Sequence, residues 1–320
     1  GCTFGYPVHY YCNLERLCIL CIDETKRLGG AQMETTKKKS GASSALHARR
    51  VFSYIILVIL TILCLFSFYI LIVNATRAHS QISKGFSALP GSYALRNFQN
   101  LMSDANLPVF RGLINSLLVA GCSAALSVYF SALTAYSIHC YDFKGRNIIF
   151  TFILMIMTVP TQVTALGFIR LMDKFKMMDT FWPLIIPSVA APAVFFFMKQ
   201  YLESALPLEI VEAARIDGSN EFGTFNKIVL PIMKPAFAVQ AIFTFVTSWN
   251  NYFTPALILK KNNMKTLPIL IAQLRSADFL KFDMGKVYMM ILLSILPVII
   301  VYLCLSKYII QGVALGSVKG

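Results

Sequence analysis

Residues 51–73 form a run of 23 without one charged side chain. At 1.5 Å per residue, a helix over this run extends about 34 Å, enough to cross a hydrocarbon layer about 30 Å thick. The composition points the same way. Of 320 residues, 57% are hydrophobic and 14% are charged, against about 25% charged in an ordinary soluble domain. So much apolar surface with so few charges calls for lipid as the solvent of much of the chain.

Similar runs recur, and the chain reads as an all-α polytopic membrane protein with six spans, at residues 51–73, 112–138, 147–169, 181–198, 235–259 and 287–306. The second run is rich in Gly, Ala and Ser, which let helices approach closely. Pro160 is expected to kink the third span, Pro183, Pro187 and Pro192 to bend the fourth, and Pro297 lies in the sixth. Residues 74–111 read as an external loop with a short helix at 97–102, 141–146 as a turn, and 170–180 and 260–286 as further external loops. Residues 199–234 are the longest polar interruption of the second half, and 311–320 a short tail.

Lys37, Lys38, Lys39, Arg49 and Arg50 precede the first span, whereas Arg77 and Lys84 follow it. That asymmetry puts the basic segment 33–50 in the cytoplasm, and six spans return the tail there too. The net charge of +14 is spread between apolar runs, where it faces anionic lipid, and not gathered on one nucleic-acid-binding module. Residues 1–32 carry no clear helical period, and Met33 opens a natural-looking start. This stretch reads as a tag, a fusion scar or a mis-called upstream extension.

Of eight cysteines, four crowd the first 21 residues, and Cys64, Cys122, Cys140 and Cys304 lie in or beside apolar runs. They suggest no disulfide framework, and the single Cys18-Ile-Leu-Cys21 has no second ligand pair. The four histidines are scattered. No metal-spaced His/Asp/Glu cluster, no phosphate-binding GxxxxGK[ST] loop and no Ser-His-Asp set can be placed. The chain is therefore expected to be no enzyme, with no metal and no cofactor of its own.

The most informative segment is residues 207–231, PLEIVEAARIDGSNEFGTFNKIVLP. Pro207 suits a first helical turn, with Glu209 and Glu212 near the positive end of the helix dipole. Gly218 suits the left-handed position that ends a helix, and Ser219 or Asn220 can cap the next one, with Glu221 in its first turn. The spacing predicts two short helices joined by a tight Asp217-Gly218 turn, too polar for lipid. Ala213 and Ala214 would allow another protein to come close, Leu208, Val211 and Ile216 would offer an apolar edge, and Glu212 and Asp217 charges. By spacing alone, a capped hairpin that merely reconnects two spans is the favoured reading.

Glu212-Ala213-Ala214, then Gly218, then Ile228-Val229-Leu230-Pro231 resembles the EAA loop of ABC importer permeases. Asn115-Ser116-Leu117, Ser248-Trp249-Asn250, Thr266-Leu267-Pro268 and the glycine-bearing ending 312–320 are similar to the six-span, maltose-permease-like class of binding-protein-dependent carbohydrate importers, over residues 50–320. Val313-Ala314-Leu315 departs slightly from the usual tail, and residues 1–32 match nothing in the family. The resemblance implies a bacterial cell-membrane permease subunit for a sugar, expected to be an oligosaccharide or related glycan fragment. It implies that Glu212, Ala213, Ala214, Asp217 and Gly218 contact a separate ATPase, which binds the ATP and Mg. It also implies a second homologous permease subunit, a cytoplasmic ABC ATPase dimer and an extracytoplasmic solute-binding protein as partners, and no nucleic acid. An importer permease for a non-sugar solute stays open, as does an ion-coupled secondary transporter, which Pro-bent spans would also suit.

The fifth span carries a polar stripe, Gln240, Thr244, Thr247, Ser248, Asn250 and Asn251, with Trp249. Polar groups at membrane depth face protein or a water-filled path. Amides and hydroxyls with an aromatic plate suit a sugar, so these residues are candidates for the substrate pathway. Bonds between helices are the equal alternative, and for Asn115 and Ser116 the structural role is favoured.

Overall fold

The computed structural model describes residues 41–276 and 282–317, so the expectations for residues 1–32 and 33–40 fall outside the described residues. All regular structure among the described residues is helical. Residues up to Phe66 and residues from Ser67 onward form two separate units. The first, as far as it is described, is the opening part of one helix, α1 (Gly41–Ala75). That helix starts within the segment expected as a basic arm, because Arg49 and Arg50 mark a membrane edge and not a helix end. Phe52, Leu57 and Leu65 are 65%, 57% and 63% exposed, a surface that only lipid or another apolar helix can cover.

The second unit continues through α2 (Ala94–Met102), α3 (Val109–Cys140), α4 (Arg146–Ile156), α5 (Thr161–Lys174) and α6 (Pro192–Ala205). Then come α7 (Leu208–Ile216), α8 (Glu221–Thr224), α9 (Lys234–Trp249), α10 (Leu267–Arg275) and α11 (Met284–Ser317). Residues 49–75, 109–140, 182–205 and 284–307 are long and apolar enough to cross a membrane. Residues 221–232 and 234–249 form a further candidate, bent by 81° between its two parts.

Helix ends differ from the expected spans where charge and backbone chemistry part company. The stretch 147–169 is two helices, because Pro160 adopts an extended backbone at the start of α5 and its ring disfavours a helical residue before it. The prolines of 181–198 do bend that stretch: a turn at Trp182–Ile185 and a 3-10 turn at Ile186–Val189 precede α6. Helix α6 runs on to Ala205, past the expected end at 198. Lys199 stays in the helix by pairing with Glu203 one turn on and lying 4.5 Å from the Phe150 ring centre. The stretch 235–259 ends its helix at Trp249, and Phe253–Ile258 is a separate turn. The final helix extends to Ser317, through Pro297 and into the expected tail.

Helix α3 is the mast of this unit. Gly112, Ser116, Ala120, Ser123, Ala124, Ser127, Ser131, Ala132 and Ala135 are buried along it, spaced three and four apart so that they share a face. Their small side chains admit α6, α9 and α10 closely. At Gly112 a Cβ would stand 2.5 Å from Leu270 Cδ1. Two cores lie at the two ends of the mast. One joins Leu101, Ala120, Ala124, Phe245, Trp249, Leu270 and Met290. The other joins Val128, Tyr136, Phe195, Met198, Leu202, Val211, Phe225 and Met233.

At the N-terminal end of α3, polar groups serve the fold. Asn115 Nδ2 donates to the carbonyls of Asn263 and Lys265, both at 3.0 Å, and Ser116 Oγ accepts from the Leu267 amide at 2.8 Å. Nearby, Asp179 Oδ1 accepts from the amides of Lys260 and Lys261 at 2.6 and 3.0 Å. Its φ of +57° is a left-handed value that aspartate tolerates better than most residues. These amides, with the lysine charges a smaller influence, hold the Asp179 carboxyl below the usual aspartate range. A depressed carboxylate value means that the tie is complete above the unfolded aspartate value and disappears as the pH falls through the folded one. Asp179→Ala should therefore speed hydrogen exchange at Lys260 and Lys261 several-fold at neutral pH. In the wild type, the same two amides should lose protection on acidification, once intrinsic rates are divided out.

Candidate functional site

Between α6 and α9 the chain folds into the predicted hairpin. Pro207 has an extended backbone at the start of α7, and Glu209 lies in its first turn. The helix stops on a paired hydrogen-bond motif, with Gly218 N donating to Arg215 O and Ser219 N to Ala214 O, both at 3.0 Å. Gly218 has φ +79°, the left-handed position that this motif requires. Asn220 then caps α8, its Oδ1 accepting from Gly223 N at 2.6 Å. A π-helical turn at Phe225–Val229 and a short turn at Leu230–Ile232 lead to the 81° bend into α9.

The hairpin has an outer and an inner face. Glu212, Ala213, Asp217 and Gly218 are exposed, as are Leu208 at 44%, Ile216 at 86% and Phe222 at 66%. Ala214 and Val211, expected on the contact face, point inward instead, at 5% and 1% exposure. The helical period decides this: Val211 packs in one core with Phe225 and residues of α3, and Ala214, three residues on, shares its side of α7. Phe222 was missed by sequence reasoning; its one signal is a large apolar residue in an otherwise polar turn.

The polar stripe divides in two. Gln240, Thr244, Thr247, Ser248 and Asn251 line a cavity of about 900 Å³ whose other walls come from α3, α5, the bent stretch before α6, α6 itself and residues 254–257. Trp249 and Asn250 line a smaller cavity of about 390 Å³ with Tyr252 and Arg275. Trp249 is 3% exposed, stacks on Phe245 at 5.6 Å and donates its indole N–H to Ser294 O at 3.1 Å. It ties α9 to α11 and offers no aromatic plate to the larger cavity. Ser123, Ser127, Thr164 and Ser188 join the larger cavity from other elements, and the buried Ser127 hydroxyl has no hydrogen-bond partner among the described residues. The small-residue pattern of α3 was legible, but not that Ser123 and Ser127 within it line this cavity, nor that Ser123 donates to Leu184 O at 3.4 Å in the bent stretch before α6. Most of the lining is apolar, with Phe168, Phe197 and Phe243 the largest side chains. Among the described residues, no His, Cys, Asp and Glu cluster could hold a metal ion.

Residues 108–314 match the family model described as a binding-protein-dependent transport system inner membrane component. The arabinooligosaccharides transport system permease protein AraQ of Bacillus subtilis strain 168 is 35% identical over 267 residues, covering 82% of this chain and 92% of that one. The lactose transport system permease protein LacG of Rhizobium radiobacter is 28% identical over 269 residues, covering 84% and 96%. Among solved structures, a chain of a bacterial ABC transporter involved in the import of the acidic polysaccharide alginate has a similar fold. Its TM-score is 0.71 at 20% identity, covering 85% of this chain and 99% of that one. With the family model spanning α3, the hairpin and the bent entry to α9, this chain belongs to the family of binding-protein-dependent transport system inner membrane components.

Proposed function

We propose that this chain is the permease subunit of an ATP-driven oligosaccharide importer of a bacterial cell membrane, forming half of the translocation path with a second, homologous permease. An extracytoplasmic solute-binding protein delivers the sugar, and a cytoplasmic ABC ATPase dimer binds and hydrolyses the ATP with its Mg. Both termini of this chain are cytoplasmic. The observation that carries the reading is the hairpin: a rigidly stopped, doubly capped peg, held between α6 and α9, with Glu212, Ala213, Asp217 and Gly218 on its outer face. The sugar class rests on the relatives' transport of arabinooligosaccharides and lactose.

The mechanism is that of a lever. Ala213 and Gly218 leave room for a socket to close around the peg, Ile216 and Phe222 supply apolar contact, and Glu212 and Asp217 fix the orientation. When nucleotide draws the ATPase halves together, the peg follows its socket and carries the ends of α6 and α9 with it. Those helices then repack between an inward-open and an outward-open arrangement. Nucleotide free energy is used only as the difference in affinity for the two arrangements. Ala214 acts from inside, as the small residue that seats the peg on the body of the subunit. Gln240, Thr244, Thr247, Ser248 and Asn251 give hydroxyl and amide partners to a passing sugar, and the phenyl rings of the same cavity cover its apolar ring faces.

Gly218→Val forces a β-branched residue into a left-handed backbone at a cost of about 1–3 kcal/mol, and Ala213→Asp fills the socket side. Each should abolish binding-protein-dependent uptake in proteoliposomes of the complete transporter while the permease still inserts. Wild-type uptake and ATP hydrolysis in both variants would rule out the peg as the coupling element. Labelling a cysteine at position 218 with a membrane-impermeant thiol reagent should succeed only from the cytoplasmic side. Gln240→Leu should raise the apparent KM for uptake several-fold, with basal ATP hydrolysis unchanged. An unaltered KM would remove this cavity from the path.

A further inference from the structure

The hairpin is fastened to a helix that is not its neighbour in sequence. Phe225, fully buried, lies between Tyr129 and Tyr136 of α3, with ring centres 5.7 and 5.5 Å away. Tyr136, itself 2% exposed, donates its hydroxyl to Glu221 Oε2 at 3.0 Å. The other oxygen of Glu221 accepts from Arg215 Nε at 2.8 Å. Thus one carboxylate joins the end of α7, the start of α8 and the buried end of α3. The Arg215 guanidinium also lies 5.2 Å from the Tyr141 ring centre, just past the end of α3. Two further bonds run alongside: Tyr129 Oη to Asn226 Oδ1 at 3.3 Å, and the His139 ring to Leu206 O at 3.1 Å.

We infer that Glu221, bridging Tyr136 and Arg215, pins the coupling hairpin to α3 and makes α3 the principal helix that the hairpin moves. The inference rests on the importer reading above and deepens it. Through α6 and α9 alone, a push on the peg would pass by way of the Leu206-Pro207 joint and the 81° bend at Met233, two places where a hinge can absorb it. The link to α3 bypasses both. It is buried on the α3 side, and a charged group strengthens the hydrogen bond on each side of the carboxylate. Helix α3 in turn lines the large cavity with Ser123 and Ser127, so a movement entering at Tyr136 reaches the cavity wall along one unbroken helix. Glu221 and Tyr136 are positioning residues: they touch neither sugar nor nucleotide.

The test uses the complete transporter in proteoliposomes, reading sugar uptake and ATP hydrolysis together. Tyr136→Phe and Glu221→Gln should each lower sugar moved per ATP by about tenfold, the effect of one lost hydrogen bond to a charged group. The ATPase should still co-purify, and the double variant should be no worse than the more affected single, since both break one link. Cysteines at 136 and 221 should show that same loss before cross-linking, and joining them with a short thiol cross-linker should not lower uptake further, because hairpin and α3 travel together. The inference is overturned if the single variants keep the wild-type ratio, or if cross-linking stops uptake and cleavage of the linker restores it. Failure of the wild-type complex to couple uptake to ATP would sink the importer reading itself, a result separable from either.

Discussion

The close approach of helices to the small-residue face of α3 is the contact on which the rest of the structure depends. In a bilayer, the hydrophobic effect gives little reason for one apolar helix to prefer another over lipid. Association rests on packing density and on polar groups that find partners, and both favour Gly, Ala and Ser. Nine such residues are buried along α3, and the two cores form at its ends because α6, α9 and α10 can come near there. Large side chains on that face would hold the helices apart and leave the buried hydroxyls with nothing to reach.

The same mast organises function. At one end, Asn115 and Ser116 tie α3 to α10 and the loop before it. At the other, Tyr129 and Tyr136 grip the hairpin. Between them lies the large cavity, lined by Ser123 and Ser127 of α3 and by Gln240, Thr244, Thr247 and Ser248 of α9. A permease of an ABC importer is not itself catalytic; it has to carry motion from a cytoplasmic motor to a path at membrane depth. In the proposed importer, a continuous helix bonded to the hairpin at one end and lining the large cavity in its middle would meet that requirement with few moving joints.

Several features were open to reading in the chain itself. The hairpin was legible almost residue by residue, because proline, glycine and asparagine impose backbone geometry locally: Gly218 takes the left-handed turn and Asn220 the cap. The bend of the stretch before α6 followed from its prolines for the same reason. Helix lengths were less legible. Charge marks where a helix leaves lipid, not where it stops, so α1 begins before 51 and α6 passes Lys199 to Ala205.

What faced what belonged to tertiary structure alone. A sequence period gives the two faces of α7 but not which one meets the protein, so Ala213 and Ala214 looked alike until packing buried one of them. Trp249 and Gln240 likewise share a stripe on paper, yet they lie nine residues apart, two and a half turns that rotate them toward different neighbours, α11 for one and the cavity for the other. The sequence by itself determined the membrane as solvent, the helical class, the family and the shape of the hairpin, all of which rest on local composition and backbone preference. The sidedness of each helix, the pairing of Glu221 with Tyr136 85 residues away and the walls of the cavity were decided only by packing. They depend on contacts between segments whose separation along the chain carries no information about their distance in space.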